Sequence, residues 1–181
     1  VTTWIDGHFI AGDVALDFAN TVFRRTPEQG SDLLDSTESL ASWFAHAGLP
    51  AGGTLAEARE LRSLFWRIFD AQSEGADLPI DALGNLLLAA RSDAVAVDAD
   101  GIPSALSGVG ALPTLALRAL RLALKPPSRP VRTCDRCGWF FLDTSRGRRR
   151  RWCSMQTCGN QAKAERYRGR DHGVLKTSTR S

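Results

Sequence analysis

The four cysteines of this 181-residue chain fall at Cys134, Cys137, Cys153 and Cys158, two close pairs separated by a 15-residue loop. A pair on one tight turn fixes two thiolates, and a second pair can close a tetrahedron around zinc with Zn–S distances of about 2.3 Å. Two disulfides, or four inert buried thiols, are the alternatives. All four thiols lie within 25 residues and none in the other 156, which favours one structural Zn2+ in a tetrathiolate shell. Such a shell leaves no open position for water, so its chemistry is organisation of the chain rather than reaction.

Charge is divided unevenly around these ligands. Residues 1–127 carry 9 Lys/Arg against 16 Asp/Glu, a net of −7, and residues 128–181 carry 14 against 4, a net of +10. With four thiolates and a divalent ion the tail stays near about +8, and a basic module on an acidic body attracts a polyanion. Five of the arginines, Arg146, Arg148, Arg149, Arg150 and Arg151, fall within six residues.

The elements that must position these groups can be read locally. Gly138 allows the turn of a Cys134–Cys137 knuckle, Trp139 to Asp143 reads as a strand, and Asp143 to Gly147 is turn chemistry. Arg148 to Trp152 is expected to return antiparallel to that strand. Ser154 is an N-cap, so Cys158 sits near the first turn of a helix running to about Arg170. At about 100° per residue, Asn160, Lys163, Arg166, Tyr167 and Arg170 share a face roughly 120° wide, with Cys158 and Ala162 opposite. If Cys158 faces the metal, that basic face looks outward. Asn can pair with adenine and Arg with guanine, and phosphates reward Lys and Arg through counterion release. A merely solvated charged face is the alternative. Trp139, Phe140, Phe141 and Trp152 could stack on single-stranded RNA, but in so small a module they fit a core better.

Upstream, Lys125-Pro126-Pro127-Ser128-Arg129-Pro130 reads as an extended linker. The expected organisation is a mainly helical domain over 1–125, a Pro-rich linker over 126–130, a zinc finger over 131–171 and a flexible tail over 172–181. Helices are expected over Ser36 to Ala47, after the capping box Thr54-Leu55-Ala56-Glu57, over Pro79 to Ala90 and over Ala111 to Leu124. Ala94 to Asp98 and Ile102 to Leu106 read as a hairpin, and Leu16 to Arg24 as a helix. The fold class is therefore mainly α with a short β-hairpin in the N-terminal domain (α+β), followed by a small finger of knuckle, β-hairpin and helix.

A helix over Leu16 to Arg24 would bring Asp17, Asn20, Thr21 and Arg24 to one face. With His8 they could hold a small anionic effector; a capping Asp, a surface Asn and an ion pair explain the same residues. Catalysis finds little support, since His8, His46 and His172 are scattered and Gly12, Gly52 and Gly53 form no phosphate loop. No uncharged apolar run reaches membrane-spanning length and Val1 to Asp13 lacks the features of a signal peptide, so a cytoplasmic protein with no membrane partner is expected.

At Arg150-Arg151-Trp152-Cys153-Ser154-Met155, followed by Cys158-Gly159-Asn160 and Lys163, the sequence resembles the CGNR zinc-finger family over 131–171. Gln161 stands where that family has Arg; no ligand is lost, and Gln161 projects away from the basic face. Ala15-Leu16-Asp17-Phe18-Ala19-Asn20-Thr21 and Asp32-Leu33-Leu34 through Trp43 to Gly48-Leu49 resemble the ABATE domain that precedes this finger in stress-induced bacterial transcription regulators. Together the resemblances imply a zinc-dependent regulator that binds duplex DNA. A protein-interaction adaptor, with the finger clamped on an acidic partner or on a second copy in a homodimer, and an RNA-binding module are the competing readings.

Overall fold

The computed structural model describes residues 1–90, 95–97, 103–105, 110–125 and 128–174; for 95–97, 103–105 and 169–174 only the backbone is described. The elements are helices α1 (Val14–Ala19), α2 (Thr37–His46), α3 (Leu55–Glu74) and α4 (Ile80–Ala90), strands β1 (Val95–Val97) and β2 (Pro103–Ala105), and α5 (Ala111–Leu124). Strands β3 (Val131–Thr133) and β4 (Phe140–Leu142), a π-wound turn (Met155–Gly159) and α6 (Asn160–Val174) complete the chain. Both strand pairs are antiparallel two-stranded ribbons, β1 with β2 and β3 with β4.

Local chemistry explains the helix starts. Asp13 caps α1 by accepting from Ala15 N at 2.8 Å, and Ser36 caps α2 by accepting from Ser39 N at 3.1 Å. Thr54 and Glu57 form the reciprocal capping box of α3, with Glu57 Oε2 accepting from Thr54 N at 2.7 Å and Thr54 Oγ1 from Glu57 N at 3.2 Å. At its other end α3 stops on Gly75, whose φ of +70° is open to a residue without a Cβ. The expected helices over 36–47, 55 onward, 79–90 and 111–124 are present. The helix expected over Leu16 to Arg24 is shorter: α1 ends at Ala19, and beyond it Val22 makes an isolated antiparallel bridge with Asp32.

Helices α1, α3, α4 and α5 pack together, α4 against α5 most extensively. A line of rings runs through the interior, Trp43 on Phe18, Phe18 on Phe65, Phe65 on Phe69, at centroid separations of 5.1, 5.8 and 5.7 Å. It continues from Phe69 to Phe140 of β4 at 5.6 Å, so the core of the helical body runs into the C-terminal hairpin. Phe140 and Phe141 are adjacent on one strand and both fully buried. Neighbours on a strand point to opposite faces, so β4 is covered on both: Phe140 faces the body, and Phe141 lies under the Arg150 guanidinium at 4.7 Å.

Strand β4 pairs with β3 rather than with Arg148 to Trp152. The knuckle itself is the turn of the hairpin, with Cys134 N donating to Trp139 O at 2.8 Å and Gly138 N to Cys134 O at 2.9 Å. Arg148 to Trp152 is tied instead by Asp135 N donating to Arg151 O and Arg150 N donating to Asp143 Oδ2, both at 3.0 Å. Asp143 is buried and collects Ser145 N, Ser145 Oγ and Arg150 N, with Arg132 at 3.2 Å. Burial raises its pKa, but those hydrogen bonds and Arg132 outweigh that and hold the carboxyl below its ordinary value.

Candidate metal centre and nucleic-acid interface

Cys134 and Cys137 come from the β3–β4 turn, Cys153 from the segment after the arginine loop, and Cys158 from the π turn. Their sulfurs all lie within 4.8 Å of one another, and Cys137–Cys153 and Cys153–Cys158 are separated by 3.6 and 3.7 Å. A zinc tetrathiolate with Zn–S of about 2.3 Å has sulfur–sulfur edges of about 3.8 Å, which the two short separations match and to which the other sulfurs lie close enough to contract. None of the four is in a disulfide.

The donors also suit a cation. Hydrogen bonds from the Cys137 and Cys153 thiols, and from the backbone N–H groups of Cys137 and Cys153, draw the Cys134 thiol far below its usual range. That thiolate in turn pushes Cys137 and Cys153 upward, so a divalent ion must displace their protons to bring all four sulfurs into one shell. Gly138 makes the knuckle possible in two ways. Its φ is +73°, and a Cβ there would come within 2.8 Å of Thr26 Oγ1 and 2.9 Å of Arg25 Cβ.

The fourth ligand reaches the cluster through the π turn. Ser154 Oγ accepts from Gln156 N at 3.2 Å, the expected cap, but Gly159 N then donates to Ser154 O, one residue further back than in an α-helix. Cys158 and Gly159 are buried by this wide turn, and Ala162 is half-buried. Asn160, Lys163, Arg166 and Tyr167 are exposed, Tyr167 at 71 %. The side chain of Arg170 lies outside the described residues.

Two family descriptions match the chain: the CGNR zinc finger over 131–171, and ABATE, described as "Putative stress-induced transcription regulator", over 12–132. The chain belongs to the ABATE family. Its four finger cysteines hold one structural Zn2+. No curated protein matches the chain. The ABATE and CGNR matches overlap at 131–132, in β3, the strand that packs on α3.

In this ABATE-family protein the arginine loop divides in two. Arg146, Arg148 and Arg149 are exposed and make no ion pair among the described residues. Arg151 is exposed but joined to Asp135 at 2.6 Å and lies over Trp152. Arg150 is half-buried against Phe141, donates through Nε to Trp152 O at 2.7 Å and reaches Cys153 O as well. It therefore frames the metal loop rather than facing solvent.

The residues expected to form an effector site do not converge as a helix face. Asp17, Asn20 and Thr21 are buried and committed internally. Asp17 Oδ1 accepts from Ala11 N at 2.9 Å, and Thr21 Oγ1 donates to Phe18 O at 2.8 Å. Asn20 behaves as a strand would: its Nδ2 donates to Phe140 O at 2.9 Å and its Oδ1 accepts from Phe140 N at 2.8 Å. His8 and Arg24 both line a cavity beside the finger. Burial lowers the pKa of His8 and repulsion from His46 adds to this, favouring the neutral ring.

Three further arginines hold positions that a reading of the sequence does not assign. Arg25 N donates to Cys137 O at 2.6 Å, its Nη1 to Gly138 O at 3.0 Å and its Nη2 to Asp70 at 2.6 Å, while its guanidinium covers Phe140 at 4.0 Å. Arg62, buried in α3, grips Asp32 with two bonds of 2.7 Å and Thr21 O with one of 2.8 Å, fixing the loop on which the finger docks. Arg136 clamps α6, giving Nε to Gln161 Oε1 at 2.8 Å and Nη1 to Glu165 at 2.8 and 2.9 Å. Of these, only Arg136 carries a visible signal, as an arginine inside the knuckle. Among the described residues no helix is long and apolar enough to cross a membrane.

Proposed function

We propose that the protein is a zinc-dependent transcription regulator that binds duplex DNA through α6 and the arginine loop. The observation that carries this reading is the orientation of α6: Cys158 and Gly159 are buried at the metal while Asn160, Lys163, Arg166 and Tyr167 are exposed. Lys163, Arg166 and the exposed Arg146, Arg148 and Arg149 offer about five phosphate contacts, and Asn160 offers an amide that suits adenine. Arg150 and Arg151 act mainly by holding the loop. The metal has no part in recognition beyond fixing this geometry.

Five phosphate contacts predict that the logarithm of the duplex association constant falls with the logarithm of salt at a slope of about −4 to −5. Selection of bound sequences from random duplexes by the zinc-loaded protein tests the reading. An enriched motif with that salt slope supports it; binding that is flat in salt, or stronger for single strands, overturns it. An adaptor acting on an acidic partner would keep its assembly and enrich no duplex sequence.

A further inference from the structure

A cavity of about 650 Å3 opens between the N-terminal segment, the loop over 23–33 and the zinc finger. Small-molecule sites fall in a range of about 300–1,000 Å3 and combine an apolar wall with a few polar groups. Here Ile5, Ile10, Phe23, Leu33 and Trp139 supply the wall. Ile5 and Phe23 are 58 % and 68 % exposed, apolar surface left to water that an occupant would cover.

Two guanidinium groups line the cavity, and they differ in commitment. Arg136 is engaged by Gln161 and Glu165. Arg24 is exposed and pairs with no carboxylate among the described residues. His8 adds a third polar group: its Nδ1 accepts from Ile5 N at 3.3 Å, so the neutral ring carries its proton on Nε2 as a donor. Among the described residues that line the cavity, one free cation and one neutral donor suit a monoanion better than a phosphate dianion. The finger supplies the opposite wall through Ser154, Gln156 and Thr157, part of the turn that launches α6, and at its floor the cavity reaches the metal ligands Cys137, Cys153 and Cys158, so only the part on the Arg24 side is open to an organic occupant.

We propose that this cavity is the effector site and takes a small amphipathic carboxylate, its apolar body against Ile10, Leu33 and Trp139 and its carboxylate on Arg24. An occupant touches the body and the root of α6 together, so it stiffens the attachment of the proposed reading helix. The role as effector site rests on the regulator reading; the binding does not, and is measured without DNA.

Calorimetric titration of the zinc-loaded full chain with 2-naphthoate, octanoate and the neutral methyl 2-naphthoate tests this. One saturable site is expected for at least one carboxylate, with the methyl ester weaker than 2-naphthoate by about tenfold or more. Arg24→Ala, at an exposed position, is expected to fold normally, to weaken the carboxylates about tenfold and to leave the ester unchanged. Saturation by neither carboxylate, or equal affinity in Arg24→Ala, would overturn the proposal. Substituting Lys163 by Glu leaves the titration unaltered if the site is where the cavity lies, so failure of duplex binding and failure of effector binding are separately visible.

Discussion

On the side of the finger that meets the helical body, Asn20, Arg25 and Trp139 hydrogen-bond to backbone groups across the join, and Arg25 also to Asp70. Asn20 takes both groups of Phe140, Arg25 takes Cys137 O and Gly138 O, and the Trp139 indole donates to Val22 O at 2.8 Å. On the side that carries α6, Lys163, Arg166 and Tyr167 face water. One metal centre stands between the two. The contrast separates polar groups that define position from polar groups available to a partner that is not part of the chain. Residue type alone does not make this distinction, because Arg25 and Arg166 are both arginines against the same small finger.

Removing the metal that stands between the two sides has the largest expected effect. Chelation of zinc, or Cys153→Ser, is expected to abolish duplex binding and to destabilise the body as well, because β4 belongs to the core of both. Thermal unfolding followed by tryptophan fluorescence should then show one cooperative transition that moves to lower temperature. Two separate transitions, with the body unaffected, would dissolve the link between the sides.

Next in size is a pH effect on the buried side. Burial raises the Asp17 pKa to about 7, only partly offset by the Ala11 N–H, and Asp13 raises it further. A raised folded pKa means the folded state holds the proton more tightly. Its stabilising contribution is full below the ordinary carboxylate value of 3.8 and is lost as pH rises through about 7. Urea unfolding across pH 4 to 8 should show a fall on the order of 2–4 kcal/mol that Asp17→Asn removes. Asp17 bears on the comparison because Ala11, which it holds, accepts Leu142 N of β4 at 2.8 Å.

Asn20→Ala strands a buried N–H and C=O of Phe140 and is expected to cost about 2–3 kcal/mol in urea unfolding, with no change in duplex affinity of the folded fraction. The mirror experiment is Lys163→Glu with Arg166→Glu. Stability should stay within about 0.5 kcal/mol while duplex affinity falls on the order of 100-fold. If both sets of variants shift both measurements equally, the two sides are not distinct. The smallest effect concerns Gln161. Restoring the CGNR arginine as Gln161→Arg would face Arg136 and break one of its three bonds, costing about 0.5–1 kcal/mol in stability.

The chemistry legible in the sequence is the chemistry that closes over a few residues. Ser36, Thr54 with Glu57 and Ser154 announce their helices because the capping partner lies two or three positions away. The cysteine cluster is legible for the same reason, with four soft ligands in one short stretch. Residues whose partners lie far along the chain mislead. Asn20 reads as a free polar group because Phe140 is 120 positions distant, and Arg25 gives no hint of Gly138, 113 positions away. The strand Val131–Thr133 escapes a local reading because its pairing turn looks like a metal knuckle alone, and a knuckle is also a hairpin turn. Phe140 and Phe141 do carry a readable clue: two consecutive large aromatics require cover on both faces, more than a lone finger can supply.

The pairing of Asn20 with Phe140 also sets a timetable for synthesis. At about 5–20 residues per second, a ribosome that has just made α1 needs roughly 6–24 s more before the strand that caps it exists. Until then Phe69, at the far end of the aromatic line, is covered by Phe65 on one side only. The nascent helical body must therefore persist with an open edge until β4 has been made and can close it.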